Sequence, residues 1–329
     1  MNIKIIYKKN DIKKFISNLI NQNKSLNIKI EREVEKIFQN IQRKGDKALF
    51  SYAKKFDGCK LNAKNILIDK NKIKIFAKKC PKDIAKALYF SSSRIKKFHL
   101  HQIPKNYKYK DSKGVILGSQ WKPINSIGIY VPGGTAIYPS SILMNSIPAK
   151  IAGVEKIAMV IPQKNTKLNP IIAKAAEIAD IDKIYRIGGA HSIAALAWGT
   201  KSIEPVDKIV GPGNIYVTIA KKKIFGDVGI DMIAGPSEIL VVSDKNNNPD
   251  WIAADLLSQA EHDINSRSIL LTDDLTFANK VTKSIDLILK DLPRSKIASK
   301  SWKNNGKIII IKNISNSYKI INQLAPEHL

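Results

Sequence analysis

Residues 127–134 read Ile-Gly-Ile-Tyr-Val-Pro-Gly-Gly, a short apolar run that ends in a proline and two glycines. A short apolar run bounded by turn residues is typical of a buried strand. Helix-forming segments separate it from further apolar runs at 157–161, 183–187 and 208–210. Alternating strands and helices are the pattern of a parallel sheet with right-handed crossover connections. Residues 126–236 are therefore predicted to form one βα unit.

A second run of the same kind covers residues 237–329. Residues 1–125 have mainly helical spacing of apolar residues and form a predicted helical section that packs with the second unit. Within this section, residues 115–123 are predicted to be a strand or hairpin, with Trp121 in the core. The predicted fold class is α/β, with two Rossmann-like βα units that contain parallel sheets, plus the helical N-terminal section.

The strongest compositional feature is charge: 55 Lys and Arg against 28 Asp and Glu among 329 residues give a net charge of +27. A nucleic-acid site requires clustered basic residues and a recognisable motif. Here the lysines are spread along the whole chain, which predicts solvated surfaces and no nucleic-acid partner. A general attraction to acidic partners at low ionic strength still follows from the charge.

The sequence also bears on cellular location. No apolar run reaches the roughly 18–20 residues of a membrane span, and residues 1–10 lack the apolar core of a secretory signal. Only two cysteines occur, Cys59 and Cys80, and their spacing matches no disulfide or metal motif. These features predict a cytoplasmic protein without a membrane partner.

Three glycine turns follow predicted strands of the first unit. They are Pro132-Gly133-Gly134, Gly188-Gly189-Ala190 and Gly211-Pro212-Gly213-Asn214. Ligands of open α/β sheets bind at such strand ends, where glycine lets a phosphate approach the backbone and a helix N-terminus attracts it. Neither the G-x-G-x-x-G pattern nor the P-loop pattern is present. On residues alone, dinucleotide binding and ligand-free tight turns remain equal alternatives.

A helix is predicted over residues 250–263. Gln259 and His262 stand three apart, so both are expected on one side of its last turn. An amide oxygen and an imidazole, with Glu261 and Asp263 nearby, can bind a metal such as zinc. The alternative is a histidine that caps the helix C-terminus and is stabilised by the helix dipole. The residues alone leave both readings open.

Several longer motifs together resemble the histidinol dehydrogenase family. They are Tyr130-Val131-Pro132-Gly133-Gly134, Val210-Gly211-Pro212-Gly213-Asn214, Ala234-Gly235-Pro236-Ser237-Glu238, Gln259-Ala260-Glu261-His262 and Ala325-Pro326-Glu327-His328-Leu329. The resemblance covers nearly the whole chain, including Gly45-Asp46 and Phe56-Asp57 near its start. It implies a zinc-dependent, NAD-linked homodimer that oxidises L-histidinol to L-histidine through a bound aldehyde. Its sites would be assembled from both subunits.

The resemblance also implies roles for particular residues. Gln259 and His262 are expected to bind zinc and substrate, and Ser237 and His328 are expected to contact the substrate. Glu327 and His328 would carry out the acid–base chemistry. The residues expected to bind NAD are Tyr130, His191 and Asn214. Position 191 departs from the family, which usually has glutamine there. A histidine can still donate or accept one hydrogen bond, so the effect of this change on NAD binding is an open question.

The chain ends at Leu329, immediately after the Glu327-His328 motif. The resemblance implies that two further zinc ligands, an aspartate and a histidine, come later in the family. The 329-residue chain is therefore expected to fold in part, to bind zinc poorly and to show no turnover, with Glu327 and His328 on an untethered end. A non-catalytic remnant that dimerises and a basic nucleic-acid-binding protein are the alternative hypotheses.

Overall fold

The computed structural model describes residues 5–133, 138–163, 168–233 and 237–329, and for residues 20–27 it describes the backbone only. Two parts of the sequence motifs lie outside the described residues. They are Gly134 of the first glycine turn and the Ala234-Gly235-Pro236 portion of the motif that ends at Glu238.

Helices and strands alternate along most of the chain. The strands are β1 (Ile5–Ile6), β2 (Leu67–Asp69), β3 (Tyr107–Lys110), β4 (Ile116–Ser119), β5 (Ser126–Tyr130), β6 (Lys156–Val160), β7 (Lys183–Tyr185), β8 (Lys208–Val210), β9 (Gly229–Ile230), β10 (Glu238–Val242), β11 (Arg267–Thr272) and β12 (Lys307–Ile310). The helices are α1 (Lys9–Lys44), α2 (Asp46–Tyr52), α3 (Lys70–Ala77), α4 (Lys82–Leu100), α5 (Pro139–Ala152), α6 (Pro170–Ile178), α7 (Gly189–Trp198), α8 (Ile215–Ile224), α9 (Pro249–Ala260), α10 (Leu275–Asp291), α11 (Ser295–Asn305) and α12 (Tyr318–Leu324). A π-helical turn, Ala53–Asp57, continues α2, and a 3₁₀ turn, Ile314–Asn316, precedes α12.

The chain divides into two compact units. The central unit is Lys29–Ala234, and the terminal unit combines Met1–Ile28 with Gly235–Leu329. This division differs from the predicted one, in which residues 1–125 pack as one section with the second βα unit. The reason is that β2, α3 and α4 supply a strand and helices to the first βα unit, whereas only the first part of α1 and β1 pack with the second.

The central unit is built on a six-stranded sheet with the order β2-β7-β6-β5-β8-β9. All neighbouring strands are parallel except β2 and β7. Counted from β5, the parallel strands follow the order 3-2-1-4-5, which is the Rossmann order. The order reverses between β5 and β8, and in such sheets the ligand crevice opens at the carboxyl ends of those two strands.

Helices cover both faces of this sheet. Ile127 and Ile129 of β5 join the core formed with α3 to α6, whereas Tyr130 joins the core formed with α1, α2, α7 and α8. Successive strand residues point to opposite faces, so the apolar run 127–131 supplies both cores. The helical spacing of apolar residues predicted for the N-terminal section is seen in α1, because Val34 and Ile41 are buried in the second of these cores.

The terminal unit contains a four-stranded parallel sheet with the order β1-β12-β11-β10. Leu270 and Ile308 pack against α9, α10 and α11 on one face. On the other face, Ile269 packs with residues of α1 such as Ile12. Both units therefore have three layers, and the predicted α/β class with parallel sheets is confirmed.

The hairpin prediction for residues 115–123 is confirmed in part, because β4 pairs with β3 in an antiparallel hairpin. The prediction for Trp121 is wrong, since its side chain is 60% exposed. Trp121 follows β4, and its backbone N–H donates to the side-chain oxygen Oδ1 of Asn106 at 2.7 Å, so this contact does not require the indole ring to be buried. Among the described residues, no helix combines the length and apolar character needed to cross a bilayer.

Candidate active site

The central unit contains a cavity of about 1350 Å³ beside the carboxyl ends of β5 and β8. Tyr130, His191 and Asn214 all line it. The structure thus brings the three residues that the sequence assigns to NAD to a single cavity, at the point where the strand order reverses. Ligand cavities are usually about 300–1,000 Å³, so this one is large enough for an extended ligand.

Tyr130 is the last residue of β5, and its ring is almost completely buried. The backbone N–H of Gly189 donates to the Tyr130 hydroxyl oxygen at 3.2 Å. Burial raises the pKa of Tyr130 to about 12; the Gly189 hydrogen bond acts in the opposite direction, and the charge of Asp57 adds to the increase. Tyr130 therefore stays an uncharged phenol, whose hydroxyl hydrogen can be donated to a ligand.

His191 lies in the first turn of α7 and is completely buried. Its Nε2 atom is 3.1 Å from Oδ2 of Asp57, the last residue of the π-helical turn. The same Asp57 oxygen accepts a hydrogen bond from the Gly188 backbone N–H at 3.1 Å. Asp57 thus connects the π-helical turn to the glycine turn that opens α7. The sequence motif Phe56-Asp57 contributed to the family resemblance, but the role of Asp57 was not predicted.

Asn214 is the N-cap of α8. Its side-chain Oδ1 accepts hydrogen bonds from the backbone N–H groups of Tyr216 at 3.1 Å and Val217 at 3.2 Å. These bonds satisfy two of the free amide groups at the helix start. Because the oxygen is used in capping, only the amide N–H group of Asn214 is left to serve a ligand. The cap gives Asn214 a structural role in addition to the predicted one.

A buried ion pair supports the turn that precedes Asn214. The Lys221 ammonium donates to the Gly211 carbonyl oxygen at 2.9 Å and also pairs with the Asp231 carboxylate. The second carboxylate oxygen of Asp231 accepts from the Gly211 N–H at 2.7 Å. Both backbone groups of Gly211 are thus fixed by side chains. No local sequence pattern predicts this network, because its members come from α8 and from the segment after β9.

The glycines of these turns are required by the packing and conformation of the backbone, independently of any ligand. A Cβ atom at Gly133 would come within 2.4 Å of Pro162, and one at Gly188 within 2.6 Å of it. At Gly211 the φ angle is +107°, and a Cβ atom would lie 2.2 Å from the Tyr130 carbonyl oxygen. Close packing and backbone conformation therefore explain the glycines, so glycine content by itself does not identify a phosphate site.

Aromatic and basic side chains complete the cavity wall. The rings of Tyr52 and Phe56 are stacked, with centroids 5.7 Å apart. Lys55 lines the same wall and lies 5.0 Å from the centroid of the Phe56 ring, and Lys36 lines the cavity from α1. Aromatic faces can stack against a planar ligand ring, and ammonium groups can neutralise an anionic one.

In the terminal unit, Glu327 and His328 lie beside β10. The His328 N–H donates to the Glu238 carbonyl oxygen at 3.2 Å, and the Leu240 N–H donates to the His328 carbonyl oxygen at 3.0 Å. Residue 328 thus forms a parallel bridge with Ile239. The expectation of an untethered end is wrong, because the open edge of β10 offers backbone partners to this segment.

The Glu327 carboxylate is held close to the same strand. Its Oε2 accepts from the Glu238 backbone N–H at 3.3 Å. Glu238 pairs in turn with Arg267, whose Nη1 lies 2.8 Å from its Oε1. Burial raises the pKa of Glu238, Arg267 acts to lower it, and Glu327 adds to the increase. Next to Glu238, the half-buried Ser237 accepts a backbone hydrogen bond from the Arg267 N–H at 2.9 Å.

The structure changes the predicted arrangement of Gln259 and His262. Helix α9 ends at Ala260, so Gln259 lies in its last turn whereas His262 lies beyond it, exposed to solvent. The helix ends here with a tighter closing turn, in which the His262 N–H bonds to the Gln259 carbonyl three residues back. The His262 carbonyl oxygen accepts from Arg294 Nη2 at 3.2 Å. Helical spacing therefore does not determine the side-chain direction of His262.

A catalytic zinc site requires about three protein ligands and one open position. Within the part of the chain that the structure describes, no group of three or more His, Cys, Asp or Glu side chains could hold a metal ion. Gln259 and His262 supply one amide oxygen and one imidazole. These two donors alone do not make a complete zinc site.

Comparisons with known proteins agree with this architecture. The family model described as histidinol dehydrogenase matches residues 20–329. A histidinol dehydrogenase of Brucella abortus (strain 2308) is 49% identical over 300 residues, which cover 91% of this chain and 70% of the relative. Histidinol dehydrogenase 1 of Nostoc sp. is 47% identical over 311 residues, covering 94% and 72%. The crystal structure of histidinol dehydrogenase from Elizabethkingia anophelis superposes with a TM-score of 0.82 at 35% identity, covering 99% of this chain and 75% of that one.

A Rossmann strand order with a large cavity at its reversal point defines the class: an α/β protein that binds a nucleotide cofactor. The motifs that border this cavity also lie within the matched residues. The chain belongs to the histidinol dehydrogenase family, the NAD-dependent oxidoreductases of histidine biosynthesis.

Proposed function

We propose that this chain oxidises L-histidinol to L-histidine by way of the aldehyde, with NAD in the cavity of the central unit, in place of the lack of turnover expected from the sequence alone. The observation that carries this assignment is the convergence of Tyr130, His191 and Asn214 on that cavity. NAD accepts a hydride when it is bound. The chain has to bind the cofactor, hold the substrate and move protons.

The cavity walls fit a dinucleotide. Lys36 and Lys55 can neutralise the pyrophosphate, and the stacked rings of Tyr52 and Phe56 offer a flat apolar surface. His191 Nδ1 is a buried polar atom without a hydrogen-bond partner among the described residues. A buried polar atom without a partner is costly, so a ligand that supplies one gains affinity.

Glu327 and His328 are the proposed acid–base pair. Each oxidation removes a proton from oxygen as the hydride leaves carbon, and imidazole is the side chain that most often accepts such a proton near neutral pH. His328 would take the alcohol proton. The exposed carboxylate of Glu327, held by the Glu238 N–H, would activate water for attack on the aldehyde carbon. Ser237, next to Glu238, would contact the substrate.

Gln259 and His262 are proposed to bind zinc and substrate. Two donors fall short of the usual three, so this pair alone does not hold a metal in a catalytic position. The test is elemental analysis of the purified protein and of the His262→Ala variant. Zinc in the wild-type protein that is lost in the variant supports His262 as a ligand. Equal zinc content in the two proteins would rule it out.

We also propose a homodimer. The β3–β4 hairpin exposes Tyr107, Tyr109 and Leu117, each by 44% or more of its surface. These three residues share one face of the hairpin, because Tyr109 lies opposite Leu117 and Tyr107 is two residues before Tyr109. An isolated two-stranded hairpin is marginally stable in water, and a contiguous exposed apolar patch marks an interaction surface. The test is sedimentation equilibrium. A Tyr109→Ser, Leu117→Ser variant is expected to shift the mass towards the monomer, whereas an unchanged dimer would exclude this surface.

The activity test is direct. The 329-residue protein is incubated with L-histidinol, NAD and zinc, and NADH is followed by its absorbance. About two NADH per histidinol consumed would support oxidation through to the acid. One NADH per histidinol would restrict the proposal to the alcohol step, and no NADH beside tight NAD binding would restrict it to the cofactor site.

A further inference from the structure

Asp57 and His191 form a buried pair in the wall of the cavity. The His191 side chain is 0% exposed and that of Asp57 is 8% exposed. They are 134 residues apart in sequence, yet Asp57 Oδ2 and His191 Nε2 are 3.1 Å apart. Among the described residues, the only other group that this Asp57 oxygen is seen to accept from is the Gly188 backbone N–H.

This geometry fixes where the imidazole hydrogen is. A carboxylate can only accept, so the atom that faces Asp57, Nε2, carries a hydrogen. The other ring nitrogen, Nδ1, then either carries a second hydrogen and makes the ring cationic or is a bare acceptor. In the neutral ring whose single hydrogen is on Nε2, Nδ1 is the bare acceptor.

The surroundings of His191 leave its Nδ1 to a ligand. This atom is buried and has no hydrogen-bond partner among the described residues. The rings of Tyr52 and Phe56 have centroids 6.1 Å from that of His191, and the Tyr52 hydroxyl accepts a hydrogen bond from Asn40 Nδ2 at 2.7 Å. The nearby Tyr130 hydroxyl accepts from the Gly189 N–H and makes no hydrogen bond to Nδ1. His191 itself borders the cavity, so a bound molecule can reach it.

We propose that Asp57 is a positioning residue that holds His191 as the Nε2–H tautomer, so that Nδ1 accepts a hydrogen bond from a hydroxyl or amide N–H of the bound dinucleotide. This inference rests on the proposed NAD site. It also gives the histidine a chemistry different from that of glutamine. A glutamine amide offers both a donor and an acceptor, whereas His191 in this tautomer offers an acceptor only.

The first test needs no activity. The five histidines are labelled with ¹⁵N, and the imidazole nitrogens are observed by NMR, with His191 assigned from the His191→Gln variant. In the NAD-free protein, His191 is expected to have a protonated Nε2 and a bare Nδ1. On addition of NAD, the Nδ1 resonance is expected to move towards values typical of a hydrogen-bonded nitrogen. A protonated Nδ1 before NAD is added would overturn the inference.

The second test uses affinity. Asp57→Ala removes the acceptor that fixes the tautomer and is expected to weaken NAD binding about 10-fold, as measured by calorimetry. Asp57→Asn keeps an oxygen for His191 and Gly188 and is expected to stay within about 3-fold of wild type. Thermal unfolding of both variants shows whether the site is folded. Equal NAD affinity in wild type and a folded Asp57→Ala variant would overturn the inference.

Dinucleotide analogues identify which group of the bound dinucleotide donates the hydrogen bond to His191 Nδ1. ADP-ribose lacks the nicotinamide ring, and 3-acetylpyridine adenine dinucleotide lacks the carboxamide N–H but keeps both riboses. An Nδ1 shift with NAD but not with the acetylpyridine analogue assigns the carboxamide, and a shift with all three assigns a hydroxyl or adenine amine. Wild-type protein that does not bind NAD would overturn the NAD site itself. NAD binding without an Nδ1 shift would overturn only the inference.

Discussion

Lys221 lies buried beneath Gly211 and donates a hydrogen bond to its carbonyl oxygen at 2.9 Å. Its partner Asp231 is more accessible: the Lys221 side chain is 4% exposed and that of Asp231 is 28% exposed. The two ends of the ion pair therefore differ in how easily water can replace a lost partner. This difference leads to the first prediction.

Asp231→Asn is expected to destabilise the protein more than Lys221→Met. The first change leaves a buried ammonium without its counter-charge, which costs about 3–5 kcal/mol. The second removes charged hydrogen bonds at a cost of about 1.5–3 kcal/mol, but water can reach the remaining carboxylate. Urea unfolding measures both, and the double variant should be more stable than Asp231→Asn alone. A double variant that is less stable than both single variants would contradict the ion-pair explanation.

Two substitutions of Asn214 distinguish its role as the N-cap of α8 from its proposed contact with NAD. Asn214→Asp keeps the oxygen that accepts from Tyr216 and Val217 and loses the amide N–H. It is expected to retain the stability of the protein and to weaken NAD binding about 10-fold or more, because a carboxylate also repels the pyrophosphate. Asn214→Leu is expected to lose about 1 kcal/mol of stability as well. Calorimetric NAD titration and urea unfolding are the two measurements. Unchanged NAD affinity in Asn214→Asp would remove Asn214 from the site.

The raised pKa of Tyr130 predicts that the folded protein loses stability at high pH. Its pKa is about 12 in the folded protein, against about 10 in an unfolded chain. Between pH 10 and 12 the unfolded state loses this proton and the folded state keeps it, so the free energy of unfolding falls as pH rises. The total decrease is about 3 kcal/mol, complete once the pH passes about 12. Tyr130→Phe should lack this component, so the test is the difference in urea midpoint between the two proteins at pH 9.5 and 11.5. Parallel pH profiles would contradict the prediction.

His328→Asn is expected to reduce kcat about 10²- to 10⁴-fold while histidinol still binds. The contacts that hold residue 328 to β10 are made by its backbone N–H and carbonyl groups, so the substitution leaves the bridge to Ile239 intact. Glu327→Gln should slow aldehyde oxidation more than alcohol oxidation, because only the later step requires water. The measurement is the NADH rate with histidinol and with histidinaldehyde as separate substrates. Equal losses in the two half-reactions would exclude water activation by Glu327.

Strands β5 to β8 of the central sheet and most helices could be predicted because their signals are local. Each of these four strands lies in an apolar run with a turn beside it, as in residues 127–134. Strands β2 and β9 of the same sheet were not predicted, because they have only three and two residues. Helix α11 was missed because Ala298 and Trp302 are buried among lysines, serines and asparagines that mask its period. The two-residue strand β1 has too few residues to show any alternation. Its partner β12 begins about 300 residues later.

From the sequence, only those residues of the candidate site that stand in recognisable motifs could be predicted. Tyr130 and Asn214 stand in glycine-rich runs that can be recognised in the sequence, and the structure brings both to one cavity. The pairing of Asp57 with His191 depends on the π-helical turn reaching the start of α7, and no local pattern encodes a contact across 134 residues. His262 was assigned a direction from helical spacing, but the helix ends two residues earlier.

The pairing of β1 with β12 has a consequence for synthesis on the ribosome. Ile5 lies opposite Ile308, so about 300 residues are translated before this strand meets its partner, roughly 15–60 s at about 5–20 residues per second. The central unit is continuous from residue 29 to residue 234 and can complete its sheet during that interval. Until β12 emerges, Ile5 and Ile6 have no strand to pair with, so this edge of the terminal sheet forms only after most of the chain has been made.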